Sequence, residues 1–245
     1  MVIETEKDVI LVDPMIGPVG TFTPFSIIRY KAKKNPIVPL PVSCQNILSQ
    51  VTHCLLTHKH PDHLDEEGSQ FLLKNQTPVT CSVKEERIFK KRGYNIVNVV
   101  EYWNRSSFLE GTIEGIPARH GYGAVAKLAG NVMGFYIELP NQKSIYLSSD
   151  TIYTDAVDKV LKNYKPAISV VACGMARLDF LKPLLMTMDD VLKFTQNAPG
   201  LVIANHLEAV NHCPTTRAEL KQALEKNGLL DKVRIPEDGE LMKIN

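Results

Sequence analysis

Residues 55–65 read LLTHKHPDHLD and place three histidines and one aspartate within the six positions from His58 to His63. In an extended chain, residues i and i+2 project to the same side, so His58 and His60 can bind one ion. Asp62 and His63 are adjacent, so at a turn they can point elsewhere and bind a second ion. Imidazole and carboxylate ligands suit zinc, manganese or iron, and the lack of thiolates argues against a closed structural zinc site. The alternative is a polar turn that caps a helix.

Short apolar runs, typical of strands, alternate with amphipathic segments around this stretch. The predicted strands are VILV (9–12), HCLLT (53–57), PVTCSV (78–83), TIEGIPAR (112–119), VMGFYIEL (132–139), SIYLSS (144–149), ISVVAC (168–173), LVIAN (201–205) and ELMKI (240–244). Because strands and helices interleave from start to finish, the pattern favours an α/β layered fold, organised as one domain over residues 1–245.

Helices are predicted from the residues at their ends. Capping-box patterns begin at Ser82, Thr187 and Thr216, and Gly93 and Gly228 stand where a glycine ends a helix. A further amphipathic segment over about 155–164 ends before a proline, which disfavours helical backbone in the residue preceding it.

The motif THKHPDH resembles the His-x-His-x-Asp-His signature of the metallo-β-lactamase superfamily, whose fold is a four-layer αββα sandwich. The remaining ligand positions of that pattern match His120 in GIPARHG, Asp150 in SIYLSSDT and His206 in LVIANH. Each follows a predicted strand, and ligands of open α/β sheets bind at the carboxyl ends of strands. The early aspartate of the family, usually structural, matches Asp13. The resemblance covers almost the whole chain.

The resemblance implies two divalent metal ions, most often zinc, with manganese or iron as alternatives. The first ion would be held by His58, His60 and His120, the second by Asp62, His63 and His206, and Asp150 would bridge them. A hydroxide between two metals can attack an ester, lactone or phosphodiester. Asp62 would also orient this nucleophile or carry its proton. Asp62 is therefore one catalytic candidate. His212 is the second, because it follows His206 by six residues and can face the cleft as a substrate ligand or proton donor. The alternative is that Asn211 and His212 fix the loop.

The subgroup that this sequence resembles is that of ascorbate-6-phosphate lactonase and related metal-dependent hydrolases, on the segments VDPMIGP and NHLEAVNHCPTTRAEL. One departure is that Ser149 stands where the family usually has glycine before the bridging aspartate. Serine is tolerated there if its backbone torsions are ordinary, whereas a positive φ would put the placement of Asp150 in doubt.

Composition and charge disfavour nucleic-acid-binding, membrane and secreted classes of protein. The 28 Lys+Arg against 27 Asp+Glu leave a formal charge of +1, which provides no global field for nucleic acid or anionic lipid. No apolar run approaches the roughly 18 residues of a membrane span. Five scattered cysteines and an N-terminus unlike a secretory signal favour reduced thiols and a cytoplasmic location.

We therefore expect a hydrolase that acts on a small-molecule substrate, with no nucleic-acid or membrane partner and with a homo-oligomer left open. Two alternatives remain: a phosphodiesterase or nuclease of the same fold, and a non-hydrolytic di-metal protein, either di-iron redox or regulatory.

A proline-rich segment over residues 14–46 interrupts the alternation of strands and helices. It holds a basic cluster of Arg29, Lys31, Lys33 and Lys34 near Phe25. Long loops within compact domains are usually functional or poorly ordered. We predict that this segment borders the active site and selects an anionic substrate, with an oligomer contact or plain surface filling as its alternatives.

Overall fold

Residues 1–244, which the computed structural model describes, form two β-sheets and seven α-helices. The first sheet has the spatial order β1 (Val2–Glu4), β2 (Val9–Val12), β3 (His53–Leu56), β4 (Val79–Ser82) and β5 (Ile96–Val100). The second has the order β12 (Val233–Arg234), β11 (Leu201–Asn205), β10 (Ile168–Ala172), β9 (Ile145–Leu147), β8 (Met133–Glu138), β7 (Gly111–Pro117) and β6 (Arg105–Phe108). The helices are α1 (Ser43–Leu48), α2 (Glu66–Asn75), α3 (Glu86–Lys91), α4 (Val125–Leu128), α5 (Asp155–Lys159), α6 (Met188–Asn197) and α7 (Arg217–Lys226).

The two sheets pack face to face because their strands are apolar on both sides. Successive side chains of a strand point to opposite faces, so Val170 of β10 packs between the sheets while Val171 packs under the outer helices. Leu55 of β3 and Phe135 of β8 meet Val170 in the inner cluster. One outer cluster joins the second sheet to α5, α6 and α7, and another joins the first sheet to α2 and α3. The result is the αββα sandwich that the resemblance implied.

The parallel strands bring their carboxyl ends to one edge. Strands β2 to β5 run parallel, as do β9 to β12, and two antiparallel pairings through β8 give β7 the direction of β9. The segments after β3, β7, β9 and β11 contain His58, His120, Asp150 and His206. The fold therefore delivers four distant segments of chain to a common site.

Two of the predicted capping boxes are confirmed. The hydroxyl of Thr187 accepts a hydrogen bond from the amide of Asp190 at the start of α6, and Thr216 does the same with Glu219 at α7, each with the reciprocal side-chain bond. Gly228 follows α7 at a φ of 66°, which glycine adopts at little cost. Within residues 1–244, no helix is long and apolar enough to cross a bilayer.

Three predictions about local structure were wrong or incomplete. Residues 240–244 form no strand, and the edge is instead the two-residue β12, where Val233 pairs with Val202. Ser82 ends β4 rather than capping a helix; α3 begins after Glu85, which makes no capping side-chain bond. The segment 155–164 is α5 followed by a π-helical turn at Val160–Tyr164.

Several elements have a weak or local sequence signal and were not predicted. These are β1, β5 and β6, which are edge or half-exposed strands, and the short helices α1 and α4. Helix α2 was also missed, although Asp65 accepts from the amide of Gly68 at its start and two glutamates follow. Acidic residues in the first turn are a favourable sequence signal for a helix start.

Candidate metal centre

Seven side chains from four segments converge at the carboxyl edge of the sheets. They form two groups, and within each group the atoms that could bind a metal all lie within 4.8 Å of one another. The first group is His58, His60 and His120; the second is Asp62, His63, Asp150 and His206. These are the seven positions predicted from the sequence, and the fold brings all of them together.

Asp150 lies between the two groups. Its Oδ2 is 3.4 Å from Nε2 of His120, which belongs to the first group, and 3.3 Å from Nε2 of His63, which belongs to the second. Its Oδ1 is 3.7 Å from Nε2 of His206. A single carboxylate thus faces donors of both groups, as a bridge between two cations requires.

Three of the imidazoles, those of His58, His63 and His120, can direct Nε2 inward because their Nδ1 atoms are already bonded. Thr57 donates its hydroxyl proton to Asp13 (2.7 Å), so its oxygen accepts from Nδ1–H of His58 (2.9 Å). His63 donates from Nδ1 to Asp13 (2.8 Å), and His120 donates from Nδ1 to the carbonyl of Leu184 (3.1 Å). In each of these rings the tautomer so assigned leaves Nε2 for a metal.

Two of the inward atoms are buried and have no hydrogen-bond partner. These are Nε2 of His58 and Oδ1 of Asp150. A buried polar atom without a partner costs about 1–3 kcal/mol, so native structures rarely contain one without a reason. A divalent cation would satisfy both atoms, and the imidazole and carboxylate donors suit zinc, manganese or iron. The residues present therefore fit a metal centre.

Asp13 fastens the loop that contains the first four ligands. It accepts from the amide of Thr57 (2.8 Å) as well as from the Thr57 hydroxyl and His63. It thereby orients the rings of His63 and, through Thr57, of His58, and it belongs to neither candidate ligand group. The resemblance implied such a structural role. Thr57 was missed in the sequence analysis. Its adjacency to the motif was the one available signal.

For His63 and Asp150, neighbouring charges shift the pKa in the direction opposite to that of burial. Burial alone would lower the pKa of His63, but the carboxylates of Asp150 and Asp13 outweigh it and raise that pKa to about 10. Burial alone would likewise raise the pKa of Asp150, yet the neighbouring imidazoles of His63 and His206 hold it well below its usual range. His58, which lacks a close carboxylate of its own, has its pKa lowered by burial. Uptake of a cation must therefore displace protons from the second group.

Three residues of the site adopt left-handed backbone conformations. Their φ angles are 49° for Asp13, 56° for Ser149 and 57° for His206. Such torsions cost non-glycine residues of order 1–3 kcal/mol and cluster at functional sites. Ser149 does adopt the positive φ for which glycine is suited, yet Asp150 still lies between the two ligand groups. The departure from the family pattern leaves the carboxylate in place.

His212 faces the second ligand group. Its Nε2 lies 3.8 Å from Oδ2 of Asp62, which is itself 3.5 Å from Nε2 of His206. Its Nδ1 is buried without a hydrogen-bond partner, and burial lowers the pKa of His212 to about 4, so the ring is neutral. The loop-fixing role belongs to its neighbour Asn211, whose side chain bonds the segment that contains Phe25 and Ser26.

Comparison with known proteins identifies the fold family. The family model described as a beta-lactamase superfamily domain matches residues 9–207. The UPF0173 protein YddR of Bacillus subtilis (strain 168) is 33% identical over 234 residues, which is 94% of this chain and 91% of that protein.

Solved structures with the same fold include two with similarity along almost their whole length. The isothiocyanate hydrolase from Delia radicum gut bacteria is 30% identical with a TM-score of 0.88, covering 99% of this chain and 95% of that one. A "possible metal-dependent hydrolase" from Veillonella parvula DSM 2008 is 27% identical with a TM-score of 0.87, covering 98% and 94%. The chain therefore has a metallo-hydrolase fold with a His/Asp cluster able to hold divalent metal.

Proposed function

This chain belongs to the beta-lactamase superfamily, and on that premise we propose that it is a dinuclear metal-dependent hydrolase of a small metabolite. The observation that supports this most directly is the position of Asp150 between two ligand groups, with its Oδ1 and the Nε2 of His58 buried and unpaired. We assign the first ion to His58, His60 and His120, the second to Asp62, His63 and His206, and the bridge to Asp150.

Zinc is the metal that we propose, with manganese or iron as the alternatives that the donors also suit. Two divalent ions bound here would lower the pKa of a water to about 7 and stabilise negative charge on the substrate. Asp13 and Thr57 hold the ligating rings in the orientation that this chemistry requires. The preorganised charge of the site supplies the largest part of such catalysis in general.

We assign proton handling to Asp62 and His212. Asp62 has a carboxylate oxygen close to both His206 and His212, so it can orient a water and accept its proton. A neutral imidazole offers one N–H and one lone pair, so His212 can pass a proton to a leaving group on the same side of the site. Asp62 thus combines two roles, as a ligand and as a base.

The bond cleaved is proposed as an ester, lactone or phosphodiester. A second candidate is an isothiocyanate, because the similar hydrolase from Delia radicum gut bacteria is named for that activity. Both classes expose an electrophilic centre to attack by water. The formal charge of +1 gives no support to a long nucleic acid as the substrate.

The test is metal analysis followed by an activity screen. Protein purified without chelators and reconstituted with zinc, manganese or iron should bind about two ions per chain. The loaded protein would be screened with p-nitrophenyl butyrate, homoserine lactones, bis-p-nitrophenyl phosphate and allyl isothiocyanate. A His58→Ala/His60→Ala double variant is the control, and it should lose the first ion and all turnover. Two redox-active irons without hydrolysis, or metal binding unaltered in the double variant, would refute the proposal.

A further inference from the structure

Residues 22–35 form a closed loop beside the metal centre, called here the clasped loop. Its ends are joined by paired backbone hydrogen bonds of 2.9 Å between Phe22 and Asn35, in both directions. Its tip is exposed: Ile27 and Ile28 keep 64% and 66% of their surface in water. The tip contains no helix or strand, so side chains from elsewhere must hold its conformation.

Asp179, in the segment after β10, holds the tip of the clasped loop. Its carboxylate accepts the amides of Ile27, Ile28 and Arg29 at 3.1, 3.1 and 2.9 Å, and it also accepts the hydroxyl of the fully buried Ser26. Consecutive amides that converge on one anion form a favourable electrostatic cradle. The same contacts lower the pKa of the Asp179 carboxyl below its usual range, Ser26 contributing most.

Arg29, in the clasped loop, also bonds to the segment that contains Asp179. Its guanidinium donates to the carbonyl of Asp179 at 2.7 Å from Nη2, and to the carbonyl of Leu178 at 3.2 Å from Nε. Arg29 is therefore engaged in holding the loop, whereas the sequence analysis placed it among the cations that meet the substrate. Lys31, Lys33 and Lys34 of the cluster are exposed, as is Arg29.

The clasped loop presents Phe25 to the metal centre. The ring centroid of Phe25 lies 4.5 Å from that of His212, whose Nε2 is 3.8 Å from Asp62. A second anchor, Asn211, accepts the amide of Phe25 at 2.9 Å and donates to the carbonyl of Ser26 at 2.6 Å. The backbone around Phe25 is thus held at two places: by Asn211 at Phe25 and Ser26, and by Asp179 at the residues that follow.

We propose that Asp179 is a positioning residue for substrate binding, because it fixes the clasped loop so that Phe25 forms an apolar wall beside His212. The inference rests on the hydrolase function proposed above. Asp179 contacts none of the seven candidate metal ligands in the described structure. Its loss should therefore weaken substrate binding while leaving the metals and the reacting groups in place.

The clasp itself can be tested without a substrate. Hydrogen exchange of the metal-loaded protein would be compared between the parent, Asp179→Ala and Asp231→Ala, a control that removes an exposed carboxylate in the turn directly before β12. In Asp179→Ala the amides of Ile27, Ile28 and Arg29 should exchange at least about tenfold faster, since their acceptor is gone. Trypsin should also cut faster after Arg29 and Lys31. Unchanged exchange rates at these amides would show that Asp179 does not hold the tip of the clasped loop.

The positioning role is tested by kinetics with p-nitrophenyl butyrate or allyl isothiocyanate, whichever probe the parent hydrolyses. Asp179→Ala should raise KM about tenfold with kcat within about twofold, because the interaction lost is one of binding. Metal content should equal that of the parent. The KM of Asp179→Asn, which keeps one acceptor oxygen, should lie between those of the parent and of Asp179→Ala.

A double-variant cycle decides whether Asp179 acts through the aromatic wall. Phe25→Ala should reproduce the rise in KM, and the combined Phe25→Ala/Asp179→Ala variant should be no worse than Phe25→Ala alone, since coupled residues are not additive. Additive effects, or a fall in kcat with loss of metal, would refute the positioning role. If the parent hydrolyses no probe, the hydrolase proposal fails and so does the role in substrate binding, while the exchange result still judges the clasp.

Discussion

The ligand loop at residues 57–65 and the clasped loop at residues 22–35 both border the candidate metal centre, and each is fastened by a distant aspartate. Asp13 holds the ligand loop from the end of β2, the strand next to β3 in the sheet. Asp179 holds the clasped loop from a half-exposed segment. The ligand loop thus continues a buried strand pair, whereas the clasped loop depends on side-chain contacts near the surface.

This difference separates two kinds of function. Groups that perform chemistry need positions fixed to a fraction of an ångström, and buried strand ends provide that rigidity. A wall that selects substrates tolerates looser support, since loops on a rigid scaffold are where binding specificity commonly lies. We therefore expect substitutions at the ligand loop to abolish activity or metal binding, and substitutions at the clasped loop to change substrate affinity.

The largest effect is expected at the bridge. Asp150→Ala removes the carboxylate that faces both ligand groups, so two like-charged ions would be left with one fewer anion between them. Activity should fall by at least about 10²-fold and the second metal should be lost, as measured by steady-state kinetics and elemental analysis. Full activity with two tightly bound metals would show that Asp150 is no bridge.

A smaller loss is expected where Asp13 fastens the ligand loop. Asp13→Ala leaves the Thr57 amide and the Nδ1 of His63 without their acceptor, so metal affinity should fall by about 10–100-fold. Competition with a chromophoric chelator would measure this. Asp13→Asn keeps an acceptor for the Thr57 amide and should lose less. Equal affinities in all three proteins would show that the ligand loop needs no fastening by Asp13.

The strand that leads into the ligand loop can be tested through His53. This side chain is buried, its Nε2 is 2.8 Å from the hydroxyl of Thr80, and burial lowers its pKa to about 4. Because the unfolded chain binds the proton more tightly, the stability that His53 contributes is complete above about pH 6.5. It is lost progressively as the pH falls from about 6.5 to 4.

Between pH 7 and pH 5, this one group should remove about 2 kcal/mol of the free energy of unfolding. Urea unfolding of the parent and of His53→Gln at both pH values isolates the contribution, since other histidines titrate in both proteins. An equal loss of stability in the two proteins would mean that His53 is not held neutral by burial.

The smallest effect is expected for the exposed lysines of the clasped loop. A Lys31→Ala/Lys33→Ala/Lys34→Ala variant should raise KM for an anionic ester by about two- to fivefold and leave a neutral ester unaffected, because solvated charges contribute little individually. Metal content and sedimentation should stay unchanged. An altered sedimentation profile with the same KM would identify the segment as a subunit contact instead.

The seven candidate ligand positions could be predicted because they depend on short-range sequence signals. Four of them lie in one motif, and His120, Asp150 and His206 each follow an apolar strand whose carboxyl end meets the same edge. The parallel strands then bring these side chains together, because their carboxyl ends meet at one edge of the layered fold. The strands missed in the sequence analysis, such as β5, have exposed positions that blur the apolar run.

Periodicity and local motifs encode the layered α/β architecture, the candidate ligands and the edge at which they meet, so these could be predicted from the sequence. The folded structure was needed to show that Arg29 binds a backbone carbonyl and that Asp179 holds three amides some 150 positions away along the chain. It also decided that Phe25 packs on His212. Such contacts depend on the shape in which distant loops close on each other, and no local pattern of residues records that shape.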